Sequence, residues 1–247
     1  MIRGAESRSR SILLFSAVVL FVSSAGGVAA AQRLTIPETE ALVRVSYFEG
    51  MPEEAAARIG AAGAERLVEM LFDPEEGRSH GQILLALGLC GSPAAMTAIL
   101  RWNAILSESA TLDRVATLDR VATLDAVSTL DRVATPRTGE IDRDLFKAWQ
   151  AFPYALGHLA HFDRRAIVHL EALMNAAAPS WTFRHHRGAR LLDLARRSAA
   201  TSLALTGLPE ARRALDRASR NASDAAFEEH LQNALALHAE RIREVTN

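Results

Sequence analysis

The chain of 247 residues contains a single cysteine, Cys90, and therefore cannot form an internal disulfide. Packing alone must hold the fold together. Cys90 follows Leu89 in an apolar stretch, so we expect a small, buried and unreactive side chain. Lysine is almost missing too, with Lys147 the only one, so nearly all basic charge is arginine. The formal net charge at pH 7 is −1, which argues against a generally basic nucleic-acid-binding protein.

The sequence also lacks the motifs of the common enzyme classes. It contains no nucleophile elbow, P-loop, dinucleotide fingerprint or paired-carboxylate pattern. Acidic residues fall mostly at predicted helix starts, as at Glu53 and Asp142, where they complement the helix dipole. We therefore expect no cofactor and favour a non-catalytic function, while an enzyme remains the open alternative.

No segment alternates strictly between apolar and polar residues, as a half-buried strand would. Apolar positions recur at helical spacing instead, and the pattern predicts an all-α fold. Thr35, with Glu38 three residues later, predicts a capping box at the first helix. The pattern further predicts separate helices over 141–152 and 154–161 and a loop over 176–186.

Residues 1–31 have the pattern of a secretory signal peptide. An uninterrupted run of apolar and small residues covers 12–22, and 29–31 is a triple-alanine cleavage site. The apolar run is shorter than the ~20 residues of a membrane-spanning helix. Three arginines form the positive region before it: Arg3, Arg8 and Arg10.

Cleavage of this peptide is expected after Ala31, with Ala30 as the second choice and an uncleaved anchor as the alternative. No cysteine directly follows the apolar run, so the sequence predicts no lipid-anchor site there. No Arg-Arg pair precedes the run, which favours the general export route. The sequence therefore predicts a periplasmic or secreted protein with no stable membrane span after cleavage.

A hexapeptide block interrupts the chain at 108–138. Thr-Leu-Asp-Arg-Val-Ala begins at Thr111, Thr117 and Thr129, with a variant at Thr123. Its apolar residues are spaced every three positions, so on an α-helix the stripe winds around the axis and cannot keep one face on a core. We expect an inserted loop or a projecting helical excursion with no dedicated function; a short left-handed β-helix is the alternative.

A Gly-x-Pro phrase occurs three times at long intervals. The copies are Gly50-Met-Pro-Glu-Glu-Ala55, Gly91-Ser-Pro-Ala-Ala95 and Gly207-Leu-Pro-Glu-Ala211. A degenerate copy carries Arg164 at the proline position. With the hexapeptide block removed, successive copies are about 41, 47 and 45 residues apart, near the period of helical repeat arrays.

The segments 85–95 and 203–215 resemble bacterial HEAT-like repeats. Each has an alanine- and leucine-rich helix, a glycine turn, and a proline that starts the next helix. The resemblance extends over about 35–220 and implies an α-solenoid, with helical pairs in 32–107 and 139–247 on either side of the insert. Such arrays present concave binding surfaces. The resemblance itself specifies no function and carries over no functional residues. Together with the signal-peptide pattern, the predicted solenoid leads us to expect an exported scaffold that binds an unidentified protein partner in the cell envelope.

The predicted loop near residue 185 combines aromatic and basic side chains, which can form an anion- or partner-binding patch. In the alternative interpretation it is an inter-repeat loop whose tryptophan docks on the core. The loop candidates are Trp181, Arg184, His185, His186 and Arg187. Second helices of the repeats supply further candidates: Arg165, His169, Arg212 and Arg213.

Four residues support a second functional hypothesis, an exported metal-binding or hydrolytic protein. They are His158, His161, Asp163 and His169. Two histidines three residues apart, with a carboxylate nearby, offer the nitrogen and oxygen ligands that zinc takes. No His-Glu-x-x-His motif or cysteine pair accompanies them, so ordinary surface or core histidines are the simpler interpretation.

Overall fold

Helices make up the regular secondary structure of residues 32–47, 50–107 and 139–246, which are the residues described by the computed structural model. Only three isolated bridges accompany them there. The predicted all-α class is confirmed. The predicted signal peptide, 1–31, and the hexapeptide block, 108–138, lie outside the described residues.

The described part of the chain contains ten α-helices and one 3₁₀-helix. In chain order they are α1 (Ile36–Arg44), α2 (Glu53–Ala56), α3 (Ala61–Leu71), the 3₁₀-helix (Pro74–Ser79), α4 (His80–Cys90), α5 (95–107), α6 (Arg143–Leu159), α7 (Arg165–Met174), α8 (Gly188–Thr206), α9 (Pro209–Asn221) and α10 (Ala225–Thr246).

Side-chain caps fix the starts of two helices. At α1 the Glu38 carboxylate accepts from the Thr35 N–H at 2.8 Å, while the Glu38 N–H donates to the Thr35 hydroxyl, confirming the predicted capping box. At α6 the Asp142 carboxylate accepts from the N–H groups of Asp144 and Leu145, both at 2.8 Å. Each cap satisfies backbone donors that the first helical turn leaves unpaired, and it contributes about 1 kcal/mol.

The predicted break between 141–152 and 154–161 is wrong. α6 continues through Pro153, although proline cannot donate the usual hydrogen bond to the carbonyl four residues earlier. Phe152, Pro153 and Leu156 are all buried, and α6 packs extensively on both α4 and α8. Tertiary packing therefore overrides the local preference of proline to end a helix.

Four helices form a continuous row in which α4 packs on α6, α6 on α8 and α8 on α10. The α4–α6 contact is the most extensive of those between described helices, and it joins the parts of the chain before and after the hexapeptide block. α7 and α9 pack against each other, and both contact α8. From α4 onwards, each even-numbered helix therefore packs on the next even-numbered helix, and α7 packs on α9 in the same way.

Small residues set the close approach within this row. A Cβ added to Gly88 of α4 would lie only 2.4 Å from the carbonyl oxygen of Ala155 in α6. A Cβ at Gly157 would lie 3.3 Å from the Cβ of Ser202 in α8. The helix backbones therefore nearly touch at both crossings, and larger side chains there would force them apart.

The repeated Gly-x-Pro phrase produces the same turn at the ends of α4 and α8. Gly91 and Gly207 both adopt the left-handed conformation, with φ of 62° and 65°. Glycine takes this conformation without the steric cost of a Cβ. At Gly91 space is also limited, because a Cβ would lie 2.4 Å from the ring of Phe162. The glycine caps inferred from the sequence are confirmed.

Candidate functional site

A cleft of about 510 Å³ lies where the carboxyl-terminal ends of α4, α6 and α8 meet. Glu53 and Ala57, from α2 and the turn after it, line one part of its wall, and Arg241 of α10 lines another. The volume falls within the ~300–1,000 Å³ typical of ligand-binding pockets. The cleft therefore brings together segments that are far apart in the sequence.

One face of α6 supplies the polar groups of the cleft. Tyr154, His158 and His161 are spaced i, i+4 and i+7, so they follow one another along the same side of the helix and the turn after it. The two histidines were candidates from the sequence, whereas Tyr154 was missed. Its helical spacing from the histidines is the signal that could have found it.

Burial is the main cause that lowers the pKa of both histidines from their ordinary value. For His158, the nearby Glu53 opposes this shift and His161 adds to it. For His161, Arg164 and Arg241 lower the pKa further, and Glu53 opposes them. The imidazoles are consequently neutral at pH 7, and each offers one hydrogen-bond donor and one acceptor to a ligand.

Exposed apolar side chains stand beside these polar groups. Phe162 is 61% exposed and Leu205 is 44% exposed, although both are large hydrophobic residues. Leu89, at the end of α4, is half-buried and also lines the cleft. An apolar rim above hydrogen-bonding groups is typical of sites that bind an amphipathic ligand.

The α8 wall of the cleft contains two hydroxyl groups in different states. Thr206 is satisfied, because its hydroxyl donates to the Leu203 carbonyl at 2.7 Å and accepts from the Leu208 N–H at 3.2 Å. Ser202 is 1% exposed, and its hydroxyl has no hydrogen-bond partner among the described residues. A buried hydroxyl without a hydrogen-bond partner is unfavourable, so we expect the Ser202 hydroxyl to destabilise the fold locally.

The four residues of the metal hypothesis are not brought together. His158 and His161 line the cleft, whereas Asp163 lines a neighbouring groove and forms an ion pair with Arg165, with Nη2 and Oδ2 2.6 Å apart. His169 lies on α7, half-buried. Among residues 32–47, 50–107 and 139–246, no group of three or more His, Cys, Asp or Glu side chains could hold a metal ion.

Trp181 of the candidate loop is buried rather than available to a partner. It is 2% exposed and meets Trp149 edge-to-face, with ring centroids 4.8 Å apart. Phe183 stacks on Phe146 at 4.1 Å. These contacts agree with the alternative interpretation of the loop, in which its tryptophan docks on the core.

The basic residues of the same loop have different surroundings. Arg184, His185 and Arg187 are exposed, whereas His186 is half-buried and stacks on Phe146 at 5.8 Å. The Arg184 guanidinium lies 5.3 Å from the centre of the Phe183 ring. The loop therefore exposes basic side chains to solvent, and the buried rings of Phe183 and Phe146 lie beneath them.

The remaining arginine candidates form ion pairs with acidic residues close to them in sequence. Besides the Arg165–Asp163 pair, Arg212 lies 3.8 Å from Asp216, and Arg213 lies 3.5 Å from Glu210. Such surface pairs contribute about 0–1 kcal/mol. None of these three arginines lines the cleft.

Cys90 lies at the end of α4, half-buried, with its Sγ 3.5 Å from the Leu87 carbonyl oxygen. Burial raises the pKa of this thiol. The sequence predicted a buried side chain, whereas Cys90 is only partly buried. The raised pKa keeps the thiol protonated at neutral pH.

Comparisons with known proteins give no match to this chain. No protein-family model matches it, and no curated protein or solved structure is significantly similar. No described helix is long and apolar enough to cross a membrane. The cleft must accordingly be interpreted from its own geometry and chemistry.

Proposed function

We propose that the chain is an exported, non-catalytic protein that binds a partner protein, and that the cleft at the ends of α4, α6 and α8 receives a segment of this partner. The cleft itself carries the proposal. It combines neutral hydrogen-bonding groups with the exposed apolar side chains of Phe162 and Leu205. Apolar groups that line a cleft beside hydrogen-bonding groups are typical of binding sites, whereas single exposed apolar residues elsewhere need no partner.

The proposal includes a HEAT-like α-solenoid as the framework. The row from α4 to α10 and the contact between α7 and α9 support it, because successive pairs in such arrays stack on equivalent helices of their neighbours. The matching turns at Gly91 and Gly207 also support it. Binding surfaces of such arrays combine residues from several repeats, as this cleft does.

Export is proposed from the pattern of residues 1–31 alone. Fractionation of the producing cells and amino-terminal sequencing test it together. We expect a periplasmic or secreted protein that begins at Gln32, or at Ala31 for the second cleavage site. Full-length protein in the cytoplasm would contradict export without bearing on the cleft.

Binding is better supported than catalysis because the cleft contains no preassembled acid–base pair. No hydrogen bond or ion pair joins Glu53 to His158 or His161 in the described residues. A general base usually lies within hydrogen-bond reach of the group that orients it. The neutral histidines instead suit reversible hydrogen bonding to a ligand.

Site-specific photocrosslinking in cells tests the proposal. A photoreactive phenylalanine analogue replaces Phe162 or Leu205 in the exported protein, and adducts are identified by mass spectrometry. Val168 of α7 provides the matched control, because it is an equally exposed apolar residue, at 63%, outside the cleft. We expect one reproducible partner at positions 162 and 205 but not at 168. Equal adducts at all three positions would contradict a specific site.

A further inference from the structure

Arginines lie near the carboxyl ends of α6 and α8, where basic side chains are commonly found. Such ends normally repel anions, because their carbonyl groups carry partial negative charge. Here Arg164 donates to the Ala160 carbonyl at 2.8 Å, just after α6. At the end of α8, Arg241 lies beside Gly207, with its Cγ 3.4 Å from where a glycine Cβ would stand. Arg164 thus offsets the negative end of α6, and Arg241 adds a second positive charge to the cleft wall.

The carbonyl groups at these ends are also largely occupied. The Leu156 carbonyl accepts from the Ala160 N–H at 3.0 Å, and the Leu203 carbonyl accepts from the Thr206 hydroxyl. The Ala204 carbonyl accepts from the Gly207 N–H at 3.3 Å. The groups left to contact a ligand include the donors of Arg241 and His161, while the Glu53 carboxylate on the α2 part of the wall can only accept.

We propose that the cleft binds the carboxyl-terminal residue of the partner protein, with the terminal carboxylate at Arg241 and His161 and the terminal side chain, an apolar one, against Phe162 and Leu205. This inference rests on the proposed function and adds the chemistry of the bound segment. Guanidinium and imidazole groups are the usual donors to carboxylates. The neighbouring apolar rim requires an apolar group next to that carboxylate.

A chain end suits the cleft better than a continuous segment. Five helices contribute residues to its wall: α2, α4, α6, α8 and α10. A continuous segment would need to enter and leave between these helices. A terminal residue needs only one opening, and its carboxylate is an additional charge that an internal residue lacks.

Arg241 already has an ion pair with Glu244, with Nη1 and Oε2 3.1 Å apart. Both side chains are about half exposed, so this pair is weak and contributes little to stability. The remaining N–H groups of the Arg241 guanidinium can still bind a ligand carboxylate. Glu244 therefore competes with the ligand only modestly.

Acidification strengthens this carboxylate site. Of the groups that face the two histidines, Glu53 of α2 is negative, Arg164 and Arg241 are positive, and Tyr154 is neutral. The α4 and α8 walls contribute uncharged residues only. Protonation of His158 and His161 at low pH adds positive charge, which Glu53 offsets only in part.

The test uses the purified mature protein and three probes: the tripeptide N-acetyl-Ala-Phe-Leu as the free acid, the same peptide as its carboxyl-terminal amide, and hexanoate. Calorimetry gives each Kd at pH 7.5 and pH 5.5. We expect the acid to bind about fivefold more tightly than the amide, as for a partly exposed ion pair. Only the acid should bind more tightly at pH 5.5.

Two arginine variants test whether Arg241 causes the preference for the free acid over the amide. Arg241→Gln should weaken binding of the free acid to the level of the amide. Arg243→Gln is the matched control, because Arg243 is an exposed arginine of the same helix outside the cleft lining. It should leave the preference for the acid unchanged.

Equal affinity for acid and amide, or no binding of the acid at millimolar concentration, would overturn the inference. Hexanoate that binds as tightly as the tripeptide would also overturn it, since the ligand would then be a free organic acid. Crosslinking at Phe162 without a preference for the acid would leave the proposed function intact. A preference for the acid without any crosslinked partner would refute the proposed function instead.

Discussion

The two ends of α6 have opposite surroundings. Near its start, Phe146 and Trp149 are buried by Trp181 and Phe183 of the loop that precedes α8. Near its end, the face that carries His158 stays open to solvent in the cleft. The same helix thus contributes to the core at one end and lines a cleft open to solvent at the other.

The two ends of α6 differ because aromatic and polar side chains have different requirements when they are removed from water. Stacked aromatic rings remove large apolar areas from water and need few hydrogen-bond partners. Histidines and a tyrosine lose hydrogen bonds to water when they are covered, so they are favourable only where solvent, a ligand or another protein group supplies those bonds. We therefore expect stability to depend mainly on the aromatic end and binding on the cleft.

The largest effect is expected from Trp181→Ala at the aromatic end. Removal of a fully buried indole leaves a cavity beside Trp149 and should lower the free energy of unfolding by about 3–5 kcal/mol. Urea denaturation followed by circular dichroism measures the loss. A loss below about 1 kcal/mol would show that the loop is not part of the core.

A smaller loss is expected from Gly88→Ala in the middle of the row, where α4 and α6 are closest. The new Cβ would lie 2.4 Å from the Ala155 carbonyl oxygen, so the helices must separate, at a cost of about 1–3 kcal/mol. Gly77→Ala is the control, since a Cβ there would meet no atom within 4 Å. Similar urea midpoints for the two variants would contradict the close packing.

The cleft end should make stability dependent on pH. The pKa of His158 is lower in the folded protein than in the unfolded chain, so the unfolded chain binds protons more readily. This contribution is complete above the unfolded pKa of about 6.5 and is lost as pH falls below it. Thermal unfolding between pH 8 and 5.5 should therefore show a decrease in Tm. His158→Gln should reduce that decrease, and exposed His185→Gln should not.

The smallest effect is expected from Ser202→Ala on the wall of the cleft. The variant removes a buried hydroxyl that has no partner, so stability should be unchanged or slightly higher. Thr206→Val provides the contrast, because it removes a hydroxyl with two hydrogen bonds and should lower the free energy of unfolding by about 1 kcal/mol. A clear loss for Ser202→Ala would indicate an unseen partner for its hydroxyl.

Local signals in the sequence predicted local structure well. The Gly-x-Pro phrase predicted the turns at Gly91 and Gly207, and the capping box at Thr35 is present. Both depend on residues within a few positions of each other. Pro153 shows where this reasoning failed, because the packing of α6 between α4 and α8 keeps the helix continuous, and no local pattern contains that information.

The candidate site was predicted only in part, for the same reason. The spacing of His158 and His161 on one helix places both in the cleft, and it could also have identified Tyr154. Glu53 and Arg241 reach the cleft only because α2 packs on α4 and α10 packs on α8 in three dimensions. Spacing along the sequence cannot show such an encounter.

The central claim is that the partner binds at the cleft and not at the basic loop. Partner that copurifies with the exported protein from cells is quantified for two variants, Phe162→Ser with Leu205→Ser, and Arg184→Ser with His185→Ser and Arg187→Ser. All five positions are exposed, so neither variant should disturb folding. The account predicts that the cleft variant loses the partner and the loop variant keeps it. Loss of the partner from the loop variant alone would contradict the account.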